Sequence, residues 1–156
     1  MKPYVIRSKI WLQSPLERVF PFFGDARNLG TITPPWLSFE VLTPQPIVMR
    51  SGTLIDYRIR VRGMPMRWRT LIEVWDPPHQ FVDVQLKGPY RLWHHTHRFV
   101  ARDGGTECLD EVRYVPIGGR LTNWLFVGRD VRRIFEYRER CLIDMFGGRR
   151  LDCLED

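Results

Sequence analysis

Residues 91–114 read RLWHHTHRFVARDGGTECLDEVRY, and this stretch decides the fold. Two runs of alternating apolar and polar residues flank Asp103–Gly104, a dipeptide suited to the two central positions of a type I′ hairpin turn. That turn sets Phe99 opposite Cys108, His97 opposite Asp110, His95 opposite Val112 and Trp93 opposite Tyr114. Successive side chains on a strand point to opposite faces. Trp93, His95, His97 and Phe99 therefore share one face, and His94 points the other way. The three histidines of the run are not one cluster; two of them face inward.

Working outward, strand-like runs cover 53–62, 65–76, 79–87, 91–101 and 106–115. The junctions RGMP, DPPH, KGPY and RDGGT carry turn chemistry, so the chain reads as an antiparallel meander. A Gly63–Met64 turn would set Ile59 opposite Trp68, Tyr57 opposite Thr70 and Ile55 opposite Ile72. A three-residue loop within KGPYR would set Gln85 opposite Trp93, Asp83 opposite His95 and Phe81 opposite His97.

Before the meander, residues 4–12 alternate as a further strand. SPLERVFPFFGD then offers Ser14 as a helix N-cap, Pro15 at the first helical position and Glu17 three residues after the cap. That helix is expected to break near Pro21 or Gly24. Asp25 caps a second short turn, and TPPWL leads into a brief strand around 38–43.

After the meander, residues 120–146 change period. Leu121, Trp124, Leu125, Val131, Ile134, Phe135, Leu142, Met145 and Phe146 recur at three and four. Arg129, Arg132, Arg133, Glu136, Glu139 and Arg140 fill the other side. This predicts a long amphipathic helix closed by Gly147–Gly148, with a frayed tail beyond. A curved antiparallel sheet needs its concave face covered, and the long helix is the available cover. The expected class is α+β, one domain over 1–156, with a pocket between sheet and helix.

Composition narrows the class further. The chain has 156 residues, 44% hydrophobic and 13% aromatic, enough for a core and unlike a disordered chain. No apolar run is long enough to span a bilayer. Charges interrupt the first apolar stretch, which makes a poor signal peptide, so a cytoplasmic location is expected. Three cysteines, odd in number and without a CxxC, argue against a disulfide framework or a zinc knuckle. Cys108 and Cys141 read as small core residues. A net charge of +6 permits anionic partners without requiring them.

The inward face carries Asp83, Gln85, His95, His97 and Asp110 among Tyr57, Trp68, Trp93, Phe99 and Tyr114, with Trp36 nearby on the TPPWL loop. Such polar groups are costly in a dry core and fit a cavity reached by water or ligand. Three readings follow. A metal site is disfavoured because strand residues i and i+2 stand roughly 7 Å apart; no metal and no cofactor is expected. Acid–base catalysis would use the Asp83–His95 or His97–Asp110 pair. Otherwise the pairs satisfy each other and orient the polar end of a ligand, with the aromatic residues as walls and Trp36 as part of a lid.

On the opposite face the Gly63–Met64 register sets Arg60 opposite Arg67 and Arg58 opposite Arg69, with Arg62 beside them. These five arginines could meet an anionic membrane surface or an acidic protein. Nucleic acid is not expected, because the aromatic residues lie on the other face.

The segments SPLERVFPFFGDARNLGTITPPWL, RWRTLIEVWDPPHQFVDVQLKGPYRLWHHTHRF and DGGTECLDEVRYVPIGG resemble the START-like superfamily, also called SRPBCC. Within it they look like a bacterial ligand-binding group of cyclase/dehydrase-like proteins. The resemblance spans residues 4 to about 146. It implies a helix-grip fold: about seven antiparallel strands wrapped around a long C-terminal helix, with two short helices between the first two strands. It implies a hydrophobic cavity for a small apolar or amphipathic molecule such as a lipid, quinone or polyketide-like compound. It does not imply one reaction, since the superfamily includes carriers, receptors, cyclases and oxygenase subunits. The mononuclear iron site of the oxygenase branch belongs to a much larger chain, and its arrangement is not found here. Related domains are also fused to epimerase-like domains.

Overall fold

The structure, a computed structural model, describes residues 1–152. Its order is β1 (Tyr4–Leu12), α1 (Leu16–Phe23), two 3-10 turns (Ala26–Ile32 and Pro35–Leu37), β2 (Glu40–Val41), β3 (Leu54–Val61), β4 (Met64–Asp76), β5 (Gln80–Lys87), β6 (Tyr90–Arg102) and β7 (Gly105–Pro116), followed by α2 (Gly119–Thr122), a π-helical turn (Asn123–Val127), α3 (Gly128–Phe146) and β8 (Gly148–Arg150). The strands form one eight-stranded antiparallel sheet in the order β2-β3-β4-β5-β6-β7-β1-β8. This is the helix-grip fold that the sequence resemblance implies, with one strand more than expected.

The extra strand lies where a frayed tail was expected. Ile10 pairs with Arg150 and Leu12 with Gly148, and the Leu151 amide donates to the Lys9 carbonyl. Cys153 lies outside the described residues. The long helix is also less regular than its periodicity suggests, because a π turn interrupts it before α3 begins.

One local expectation at α1 changes, and the expected break falls at Gly24, one of the two positions foreseen. Ser14 does not cap the helix, which starts after Pro15 without a side-chain cap. The Ser14 hydroxyl instead donates to the Phe146 carbonyl, and its own carbonyl accepts from Thr106. Ser14 thus ties the start of α1 to the end of α3 and to β7. Pro21 stays inside α1, and the helix stops at Gly24. Asp25 does cap the following turn, accepting from the Arg27 amide.

The hairpin registers locate the inner face. Asp103 and Gly104 both take positive φ and close β6 on β7, with Phe99 opposite Cys108 and His97 opposite Asp110 as expected. Asp83 faces His95 and Phe81 faces His97 across β5 and β6. The β3–β4 turn is centred one residue earlier than expected. Arg62 and Gly63 carry the positive φ values, so Tyr57 pairs with Trp68 and Ile55 with Thr70. The pairing moves by two residues, and every side chain keeps its face.

The buried apolar side chains fall into three groups. One joins α1, β1 and the C-terminal half of α3 through Leu12, Val19, Phe20, Phe99 and Leu142. A second gathers Trp93, Val112, Tyr114, Val131 and Phe135 under the N-terminal half of α3. A third lies beneath β3 and β4 around Ile55, Tyr57 and Ile72. The space bounded by these groups is not filled.

Candidate ligand cavity and its polar cluster

That space is a cavity of about 610 Å³ between sheet and helix. Its apolar walls include Tyr57, Trp68, Ile72, Phe81, Trp93 and Phe135, and the 3-10 turns add Leu29, Trp36 and Leu37. Trp68 packs edge-on against Trp93 at 5.3 Å, and Tyr90 lies 4.8 Å from the same ring. The exposed lining residues are Trp36, Arg62, Gly63 and Arg133, so the opening lies between the β3–β4 turn and α3. Arg62 bridges it by donating to Asp130 at 3.1 Å. Arg133 stands over the Trp36 ring at 4.9 Å.

One part of the wall is polar. Asp83 from β5, His95 and His97 from β6, and Arg138 from α3 line it, with Asp110 of β7 directly behind the histidines. The Asp–His pairs expected from the register are joined by diagonal contacts. His97 Nε2 is 2.6 Å from Asp83 Oδ2, and His95 Nε2 is 3.1 Å from Asp110 Oδ1. Each histidine also approaches the second carboxylate: His97 Nδ1 lies 3.0 Å from Asp110 Oδ1, and His95 Nδ1 lies 3.9 Å from Asp83 Oδ2. Side chains one strand apart can lean diagonally, which register alone does not report. The four groups therefore form one cluster. The two imidazoles stack with centroids 3.6 Å apart, so the rise along the strand does not keep them separate.

Arg138 completes the charge balance. It lies on the apolar stripe of α3 and is 8% exposed. Its Nε is 3.6 Å from Asp110 Oδ2, and its Nη2 lies 3.4 Å from His97 Nδ1. Nε is buried and has no hydrogen-bond partner among the described residues.

The cluster sets the protonation of its members. Burial alone would raise the Asp110 pKa, but the Arg138 charge and both histidines hold it well below the usual carboxylate range. Burial is likewise outweighed at Asp83 by His95, His97 and Arg138, and the net shift is downward. Burial and the neighbouring His97 push His95 down to about 4. His97 moves upward, because Asp110 and Asp83 overcome its own burial. His95 is therefore neutral at neutral pH, and His97 is the histidine whose protonated form the two carboxylates favour.

Seven of the expected ligand-contacting residues line the cavity: Trp36, Tyr57, Trp68, Asp83, Trp93, His95 and His97. Four do not. Gln85 closes the β5–β6 turn, donating to the Tyr90 carbonyl and accepting from its amide. Phe99 packs in the core beside α1. Tyr114 donates its hydroxyl to Asn123. Asp110 supports the histidines from behind.

Sequence reading missed Arg138 and the rim residues Asp130 and Arg133. A signal for Arg138 exists: it falls seven residues after Val131 and four before Leu142, a charge at an apolar position. Glu139, expected on the solvated side, is also buried. It accepts from Ser8 at 2.6 Å and from Arg150 Nε at 2.6 Å.

The outer arginines do not form the expected rows. Arg58, not Arg60, faces Arg67, and Arg69 faces Asp56. Arg69 pairs with Asp56, Arg58 with Glu40, and Arg62 with Asp130. Among the described residues, no helix is long and apolar enough to cross a membrane.

Residues 12–138 match the family of polyketide cyclase / dehydrase and lipid transport proteins. The chain belongs to that family. It is thereby a member of the SRPBCC superfamily, and its cavity is the type of space these domains build for small hydrophobic ligands. No curated protein matches the chain in sequence. Solved structures do match in fold. A protein from Chromobacterium violaceum superimposes with a TM-score of 0.74 at 15% identity, over 93% of this chain and 99% of its own. Ara h 8.0201 does so with 0.67 at 14% identity, over 92% and 97%. A nucleoside-diphosphate sugar epimerase from Corynebacterium glutamicum matches with 0.65 at 22% identity, over 89% of this chain and 28% of the epimerase. At these identities the likeness is one of fold.

Proposed function

We propose that this family member binds a small amphipathic molecule (a lipid, quinone or polyketide-like compound) in the cavity between sheet and α3. The observation that carries the reading is the pairing of an aromatic-walled cavity of about 610 Å³ with one buried polar patch. Pockets of this size enclose most of a small ligand, and a few placed polar groups fix its orientation. The apolar body would lie against Tyr57, Trp68, Trp93 and Phe135. The polar end would meet Asp83, His97 and Arg138, which line the polar part of the wall.

Native mass spectrometry of freshly purified protein, followed by release and identification of any bound molecule, tests this. A co-purifying amphipathic compound at one per chain is the expected result. A protein that arrives empty and also fails to take up fatty acids, quinones and polycyclic aromatics would sink the reading.

One observation favours catalysis as a second reading. His97 Nε2 and Asp83 Oδ2, 2.6 Å apart, stand on the cavity wall as a proton-sharing pair. In a cyclase or dehydrase that pair would take a proton from the substrate carbon and return it to a departing or forming oxygen. His97→Gln would then abolish turnover while largely sparing binding. In a carrier the same change alters affinity alone.

A further inference from the structure

We propose that Asp83, His95 and His97 form a binding site for one divalent transition-metal ion, opening into the cavity. The proposal goes beyond ligand binding and does not need the organic ligand to be known. One potential ligand atom from each of the three side chains lies within 4.8 Å of the others. All three residues line the cavity, so any coordination position not filled by protein faces open space. Two imidazoles and one carboxylate are a donor set suited to zinc, iron, cobalt or nickel, and unlike the all-oxygen sets preferred by magnesium or calcium.

The surroundings of the three groups support the assignment more than their proximity does. A metal-bound imidazole usually hands the N–H on its far side to a carboxylate, which fixes ring and tautomer. Here a single oxygen, Asp110 Oδ1, lies 3.1 Å from His95 Nε2 and 3.0 Å from His97 Nδ1. With both far nitrogens turned to Asp110, His95 Nδ1 and His97 Nε2 are left on the Asp83 side, at 3.9 and 2.6 Å from Asp83 Oδ2. The competing donor to His97 Nδ1, Arg138 Nη2, is farther away at 3.4 Å. Arg138 also compensates the charge of Asp110, which leaves Asp83 as the anion available to a cation. The metal would replace the proton now shared between Asp83 and His97. The ring centroids stand 3.6 Å apart, well under the roughly 7 Å rise between positions i and i+2, and coordination of one ion by both would turn the rings out of their stack.

Cobalt(II) is the probe, because its visible bands report coordination geometry. Protein stripped with EDTA is titrated with Co²⁺, and the bound ion is then displaced by Zn²⁺. One Co²⁺ per chain is expected, with ligand-field bands that Zn²⁺ abolishes. Asp83→Asn and His95→Gln should each weaken binding by about 100-fold or more. Asp110→Asn, which leaves all three ligands in place, should weaken it by about 10- to 100-fold. Circular dichroism checks that each variant is folded. Should the variants not fold, nitrogen shifts of the four histidines in the wild-type protein replace them. Zn²⁺ must then move His95 and His97 and leave His79 and His94 unchanged. No cobalt bands, uptake unaffected by Asp83→Asn or His95→Gln, or shifts confined to His79 and His94 would each overturn the site. None of these failures bears on the uptake of an organic ligand, which is read separately.

Discussion

His95 and His97 stand two residues apart on one strand, in contact, and the cluster drives their pKa values in opposite directions. Proton-detected imidazole titration of EDTA-treated protein should show His95 neutral down to about pH 4 and His97 still protonated above its ordinary value of 6.5. The linkage follows from which state holds the proton. The His97 contribution to stability is complete below pH 6.5 and is lost as pH rises through its folded value. His95 acts in the opposite sense, costing stability as pH falls from 6.5 to about 4, because the unfolded chain takes the proton first. Asp83 and Asp110 contribute above 3.8, and that contribution is lost as pH falls through their lowered values. Acid unfolding should therefore steepen below about pH 4, and urea titrations at stepped pH would show it. Two histidines that titrate together near 6.5 would contradict the cluster. Arg138→Met strands the buried Asp110 carboxylate and should cost about 3–5 kcal/mol. Adding Asp110→Asn should recover part of that loss, which a double-mutant cycle in urea measures.

At the scale of the element, β8 matters more than its three residues suggest. Arg150 pairs with Glu139, and Glu139 holds Ser8, so the terminal strand, α3 and β1 are joined by one run of charged and polar contacts. Gly148 is required there: its φ is +132°, and a Cβ would collide with the Trp11 carbonyl. Gly148→Ala should detach β8 and lower stability by about 2 kcal/mol, visible as a lower urea midpoint and faster exchange of the Leu151 amide. None of this was legible in the sequence, where Gly147–Gly148 looks like the end of order. The inner face, by contrast, was legible. Alternation fixes which side chains point inward except at the irregularities of β4 and the start of β6, and it survived the misplaced β3–β4 turn because the pairing error was an even number of residues. What alternation cannot give is the diagonal lean of side chains between strands, which adds the Asp83–His97 and Asp110–His95 contacts. Nor does it reveal a buried charge on a facing helix: Arg138 looks like one more arginine in a run of them unless its position on the stripe is counted.

For the whole molecule, the three buried groups enclose a space that an optimally stable protein would fill. Packing lost around an unfilled volume lowers stability, and a ligand that binds only the folded state restores it. A ligand present at 100 times its dissociation constant adds about 2.7 kcal/mol. A thermal-shift screen of amphipathic compounds should therefore find ligands that raise the midpoint of this protein by several degrees. Trp68→Ala, which removes a wall, should reduce that rise. A screen in which no compound moves the midpoint would argue that the cavity is not used for binding.

The two ends of the helical segment that covers the sheet are held very differently. Its C-terminal end is fastened through Glu139, Arg150 and Ser14. Its first nine residues, 119–127, contain no buried side chain, and Trp124 is 80% exposed. Breathing of the molecule should therefore be lopsided, with the amides of 119–127 exchanging with deuterium well before those of 139–146. The firmly held end carries Arg138, whereas the loosely held end meets Arg62 through the Phe126 ring at 4.7 Å, so the expected early exchange lies away from the charged cluster.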